Sequence, residues 1–312
     1  MRKFLSIFAA LALLLSLCAC GDRPAESEPE GLQIVTSVFP AYDFARQIAG
    51  ERANVTLLLP PGAEIHSFEP TARDMIRIRN AALFVYNGGE SEAWVEELLE
   101  SGEEIRSLSM LDCVDALEEE VREGMQKSAA EEEEDGPEYD EHVWTSPKNA
   151  LRICEAICGA LCEIDPEGES FYRENLHAYS AELEALDQSF REIVENGRFR
   201  TVIFADRFPV RYFVEEYGLN YFAAFPGCAE ETEPSARTVA FLIDRVREEG
   251  LPAVFYIEFS NEKMADEICE DTGCKKLLFH SCHNVSADEL RNDATYLELM
   301  RHNAEALKEA LG

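Results

Sequence analysis

The chain has 312 residues, with 62 acidic against 28 basic side chains and a formal net charge of -34 at pH 7. That balance excludes nucleic acid and anionic lipid headgroups as direct partners, since both repel it. It favours solubility and raises the local concentration of cations within about 10 Å, but identifies no particular ligand.

Arg2 and Lys3 precede an apolar run, Phe4 to Leu17, that is too short to span a bilayer comfortably. Residues 1–19 therefore read as a signal peptide, whose loss leaves the chain two charges more negative. The run ends in Leu17-Cys18-Ala19-Cys20-Gly21, which resembles the lipobox of bacterial lipoproteins. That resemblance implies cleavage before Cys20 and acylation of its thiol, so that the protein is anchored on the extracytoplasmic face of the cell membrane through lipid alone. Residues 20–31, rich in Glu, Pro and Ser, read as a tether.

From residue 32 strand-like and helix-like pieces alternate. Leu32–Val38, Val55–Leu59, Ala82–Tyr86 and Ile105–Leu108 read as strands, separated by helices over Ala41–Ala49, Ala72–Asn80 and Ser91–Leu99. Residues 118–141, with Glu131 to Asp135 and few apolar positions, read as a disordered acidic loop. Ser146 as N-cap and Pro147 in the first turn start a helix that runs to about Glu163. Glu169 to Asn196 is an unbroken helical pattern stopped by Gly197. A second series follows: strands Thr201–Ala205, Leu219–Ala224, Ala253–Ile257 and Lys276–Phe279, and helices Pro209–Tyr217, Ser235–Glu248, Glu262–Asp271 and Tyr296–Leu311. The fold class is α/β, with two (βα)4-like lobes of parallel sheet joined by one long rigid helix: lobe 32–165, helix 166–197, lobe 198–312. A cleft between lobes is the natural ligand site.

Of ten cysteines, Cys18 leaves with the signal and Cys20 carries lipid. Cys154, Cys158 and Cys162 recur every four residues with Leu151 and Leu161, which places them on the packed face of a helix.

Three loop histidines lie far apart in sequence: His66 in the Pro/Gly-rich stretch after the second strand, His142 after the acidic loop, and His283 after the last strand. Loops at the carboxyl ends of parallel strands are where such folds bind ligands, and neutral imidazole ligates zinc, manganese and iron. His177 reads as solvated, His302 as packed or capping, and His280 as an alternative ligand.

The segments His66-Ser-Phe-Glu-Pro-Thr71, Ala82-Leu-Phe-Val-Tyr-Asn-Gly88, Asp140-Glu-His-Val-Trp-Thr-Ser-Pro-Lys-Asn-Ala150 and Thr295-Tyr-Leu-Glu-Leu-Met-Arg-His-Asn303 together resemble the cluster A-I substrate-binding lipoproteins of zinc/manganese ABC transporters, from about Gln33 to Leu311. The resemblance implies capture of zinc, or of manganese, in the interlobe cleft by a monomer that delivers it to an ABC permease. It implies His66 and His142 as metal ligands and aligns His283 with the family's fourth ligand, an Asp. Arg207 stands where the family's third ligand is expected, and a guanidinium cannot ligate. The missing group is sought among Glu231, Asp206 and Cys228, or Cys228 pairs with Cys282 in a disulfide. Two other readings stay open: an anchored zinc hydrolase, which needs a placed general base, and a metal-binding adhesin.

Overall fold

The computed structural model describes residues 31–65, 68–102, 104–126, 138–227, 229 and 233–312. His66, Cys228, Glu231 and Cys20 lie outside these residues, as do the signal peptide and most of the tether.

The first lobe alternates β1 Leu32–Thr36, α1 Phe39–Ala49, β2 Ala53–Leu57, α2 Ala72–Asn80, β3 Leu83–Tyr86, α3 Ala93–Glu100 and β4 Ser107–Ser109. Its four strands pair in parallel in the order β2-β1-β3-β4. Helix α4, Pro147–Ile164, returns across this lobe, and α5, Glu169–Asn196, leads away from it. The second lobe repeats the plan with β5 Thr201–Arg207, α6 Arg211–Tyr217, β6 Asn220–Phe225, α7 Ala236–Glu249, β7 Ala253–Tyr256, α8 Lys263–Thr272 and β8 Lys275–Leu278. Its strands are again parallel, ordered β6-β5-β7-β8. Short α9, Ala287–Arg291, and terminal α10, Tyr296–Leu311, close the chain. The fold is thus the expected pair of parallel-sheet α/β lobes with a long helix between them.

Local chemistry explains the element ends. Thr71 and Asp74 form a capping box at the start of α2, so the two orphan N–H groups there are satisfied reciprocally. Ser146 accepts the N–H of Asn149 at the start of α4, with Pro147 in its first turn. Thr295 does the same for Glu298 in α10. The sequence pattern missed α9, whose five residues are too few for a hydrophobic period to show, although Ser286 and Glu289 form a capping box there.

Two expectations change. The flanks of the acidic segment, read as disordered, are ordered: Glu118 bridges Tyr139, Asp140 N–H donates to Leu117 O (2.9 Å), and Gln126 N–H donates to Ala224 O in the second lobe (2.8 Å). Backbone pairing, which composition does not reveal, holds them; residues 127–137 lie outside the described ones. Among the described residues Cys282 is a free, buried thiol, and Cys228, the partner considered for it, lies outside them. His302 is exposed on α10 rather than packed.

The core does not stop at the lobe boundary. One apolar cluster takes in Ile34 and Phe39 from the first lobe, Phe190 from α5, Phe204 and Phe279 from the second lobe, and Tyr296 from α10. Phe190 meets Phe213 edge-on at 4.8 Å between ring centroids and lies 5.5 Å from Tyr217, which locks the long helix to the second lobe. Replacing Phe190 with Ala removes this contact and leaves a cavity. Urea unfolding of the variant is expected to show a loss of about 3–5 kcal/mol, and a loss under about 1 kcal/mol would mean the helix is not seated as described.

Candidate metal centre

His142 follows Glu138–Glu141, which crosses between the lobes. Tyr212 of α6 donates its hydroxyl to Asp140 O (2.8 Å), and Asp140 Oδ1 accepts the His142 N–H (2.8 Å) and lies 3.2 Å from its Nδ1. Burial opposes a charged imidazole here, but the adjacent Asp140 carboxylate and its hydrogen bond prevail and raise the His142 pKa. With the proton held on Nδ1 by Asp140, the lone pair lies on Nε2, the form a metal ligand requires.

His283 comes from the opposite lobe, after β8. Its ring centroid lies 5.8 Å from that of His142, at 88°, and both rings pack on Trp144 at 5.6 Å. Trp144 ties the two sides together: its Nε1–H donates to Ser281 O (2.8 Å), and Tyr296 donates its hydroxyl to Trp144 O (2.7 Å). Asn284 donates its side-chain amide to Pro60 O and Ala63 O, each at 2.8 Å, and Gly62 N–H donates to Val285 O (2.9 Å). The stem of the loop that carries His66 is thus pinned beside His283.

His142 and His283 line one cavity of about 20 Å³ with Glu64, Arg207, Glu258 and Ser281. That is room for a single ion or water molecule. Gly227 forms part of its wall, and a Cβ there would come within 2.9 Å of Phe208 O and 3.3 Å of His142 Cε1. Among the described residues, no three His, Cys, Asp or Glu side chains converge as a complete metal site. Asp206, one of the sequence candidates, instead lines a neighbouring cavity of about 600 Å³ with Ser260 and Lys263. His280 has its Nδ1 occupied by the Cys282 N–H (2.9 Å).

Sequence reasoning overlooked two carboxylates at the cavity wall. Glu258 accepts Ser281 N–H (2.7 Å) and so orients the segment before His283. Glu64 takes both terminal nitrogens of Arg207, at 3.0 and 3.1 Å, in a forked pair that crosses from one lobe to the other. Burial works against the Arg207 charge, yet Glu64 outweighs it and holds the guanidinium protonated. Glu64 stands two residues before His66, which was a usable signal; its partner could not be read from sequence.

Behind His142, Glu92 accepts the N–H groups of Asn87 (2.7 Å) and Gly88 (2.9 Å), and Asn87 donates its amide to Glu141 O (3.0 Å). Burial pushes the Glu92 carboxyl up to about 7, against the pull of those hydrogen bonds.

Two outcomes follow from these pairs. Glu64→Gln leaves Arg207 largely buried without its counter-charge and is expected to cost about 1–3 kcal/mol in urea unfolding, tempered because Glu64 is 43% exposed. An unchanged midpoint would dismiss the pair. Glu92 binds its proton more tightly in the folded chain, with its pKa raised from 4.5 to about 7. Its contribution to stability is therefore complete below about pH 4.5 and is lost as pH rises through about 7. Glu92→Gln is expected to remove that part of the decline, seen by comparing unfolding of the variant and wild type at about pH 5 and about pH 8.

Comparison with known proteins places these features. The profile of the zinc-uptake complex component A periplasmic family (ZnuA) matches residues 34–310. The high-affinity zinc uptake system protein ZnuA of Bacillus subtilis (strain 168) is 29% identical over 99% of this chain and 98% of its own length. The manganese-binding lipoprotein MntA of Halalkalibacterium halodurans is 28% identical over 99% of this chain and 98% of its own. Among solved structures, the Zn(II)-bound ZnuA-like domain of Streptococcus pneumoniae AdcA superposes with a TM-score of 0.75 at 26% identity, covering 90% of this chain and 99% of that one. This chain spans 61% of the full-length AdcA lipoprotein, at 28% identity. With nearly its whole length matched in sequence and its two lobes matched in space, the chain belongs to the ZnuA family of zinc-uptake complex components.

Proposed function

We propose that this protein captures a divalent transition metal in its interlobe cleft and delivers it to an ABC permease, with zinc the first cargo and manganese the second. The observation that carries this reading is the pair of imidazoles, His142 and His283, brought from opposite lobes to one cavity the size of an ion. His66 completes the imidazole set from the loop whose stem is tied beside His283, and Glu231 or Cys228 supplies the fourth group. Three imidazoles with one carboxylate or thiolate suit tetrahedral zinc; more oxygen would shift preference to manganese. A ligand set drawn from both lobes couples binding to the way the lobes sit together, which is what capture and release require.

The protein acts as a monomer, breaks no bond in its cargo, and is held at the outer face of the cell membrane by lipid on Cys20. Support for the anchor is the Leu17–Cys20 motif and the likeness to relatives named lipoproteins. Among the described residues no helix is long and apolar enough to cross a membrane.

The test is metal content and affinity of the purified protein. Wild type is expected to hold one equivalent of zinc, and His66→Ala, His142→Ala and His283→Ala each to weaken it by more than about 100-fold, beyond the loss seen when only a ligand's supporting residue is removed. Stoichiometric metal that survives all three changes overturns the site. Metal-dependent turnover of ester, amide or phosphate substrates would move the reading to a hydrolase.

A further inference from the structure

Outside the lining of the histidine cavity, two thiols meet at the end of a helix. Cys269 lies in the last turn of α8, and Cys274 immediately precedes β8, with the two sulphurs 3.4 Å apart. Gly273 makes the encounter possible. Its φ of 77° ends the helix, its N–H donates to Cys269 O (2.8 Å), and the chain turns back along the helix it has just left. Thr272 steadies the turn: its hydroxyl donates to Ile268 O (2.7 Å) and accepts the Cys274 N–H (3.3 Å). Both cysteines are half-buried at the edge of the second lobe's own core.

The other cysteines among the described residues are placed differently. Cys154 and Cys282 are sealed in the core, and Cys113 donates its thiol to Ser109 O (3.2 Å). Cys158 and Cys162 lie one turn apart on α4, where the helix keeps their Cα–Cβ bonds parallel, an unfavourable start for an S–S bond. Between Cys269 and Cys274 the left-handed turn removes that restriction.

The geometry points to Cys269 and Cys274 as a disulfide-forming pair that closes after export and staples the end of α8 to the start of β8. The oxidant is a protein of the thiol–disulfide oxidoreductase class. One cysteine thiolate attacks the donor's disulfide, whose S–S bond breaks to leave a donor thiolate and a mixed disulfide. The second cysteine, deprotonated, then attacks the mixed disulfide, forming the Cys269–Cys274 bond and releasing the donor as a dithiol. Two thiols lose two protons and two electrons, and the donor's disulfide gains both. Burial pushes the Cys269 thiol up to about 12, so little thiolate is present and closure depends on a catalyst rather than on air. The loop closed is short, so the gain in stability is modest. The gain falls on β8, an edge strand whose far end leads to His283.

The test uses the full-length chain, purified reduced and then incubated under native conditions with oxidised glutathione and a disulfide oxidoreductase. After acid quench and denaturation, thiols are alkylated and peptides mapped by mass spectrometry. The expected product has Cys269 and Cys274 both protected from alkylation and joined in a species lighter by two hydrogens, while Cys158 and Cys162 stay alkylatable. Cys269→Ser should leave Cys274 without an internal link. Oxidation should raise the melting temperature of wild type by a few degrees and leave the Cys269→Ser/Cys274→Ser protein unmoved. Full alkylation of both cysteines, glutathione adducts without closure, or a link to another cysteine overturns the proposal. Zinc content, read in the same samples, reports separately on the cleft site.

Discussion

Everything else in this molecule depends on a shared apolar core. Phe190 of α5, Tyr296 of α10, Ile34 of the first lobe and Phe204 and Phe279 of the second belong to one cluster. Lobes joined by a bare linker would move freely; lobes that share a core move only by repacking it. The polar contacts across the cleft reinforce this constraint. Trp144 donates to Ser281 O, Tyr212 donates to Asp140 O, and Asn284 spans two carbonyls of the opposite loop. Buried Asp43 adds a further tie, accepting the Tyr296 N–H (2.9 Å) and pairing with Arg46. Each is a buried donor or acceptor that would cost free energy if left unmet, so the lobes are held in register as well as in contact.

That rigidity gives the candidate centre its electrostatic character. Asp140 lies behind His142, Glu258 orients the segment before His283, and Arg207 reaches across to Glu64. A protonated guanidinium beside two imidazoles opposes a bound cation unless its charge is met, and the forked pair with Glu64 meets it. Arg207 is thus half of an ion pair between lobes at the wall of the histidine cavity.

Much of the architecture was legible from residues alone, for definable reasons. Helices Ala72–Asn80, Glu169–Asn196 and Tyr296–Leu311 begin and end where the pattern put them, because each carries a long apolar period or a polar cap that acts locally. Strand ends were read less well. Thr201–Arg207 runs two residues past its expected end, which matters because Arg207 at that end lines the histidine cavity as well as the neighbouring one, whereas Asp206 lines only the latter. The ordered flanks of the acidic segment were missed, since their partners, Leu117 and Ala224, are remote from any local composition signal.

The periodicity of strands and helices, the parallel fold class and the three loop histidines follow from the chain itself, because each rests on the spacing of neighbours in sequence. The meeting of His142 with His283, the Arg207–Glu64 pair, and the separation of Asp206 from both imidazoles do not. They depend on which strand faces lie toward the cleft and on how two lobes pack about one core. The two pairings join residues more than a hundred positions apart and are set by the sum of buried contacts and by no local pattern.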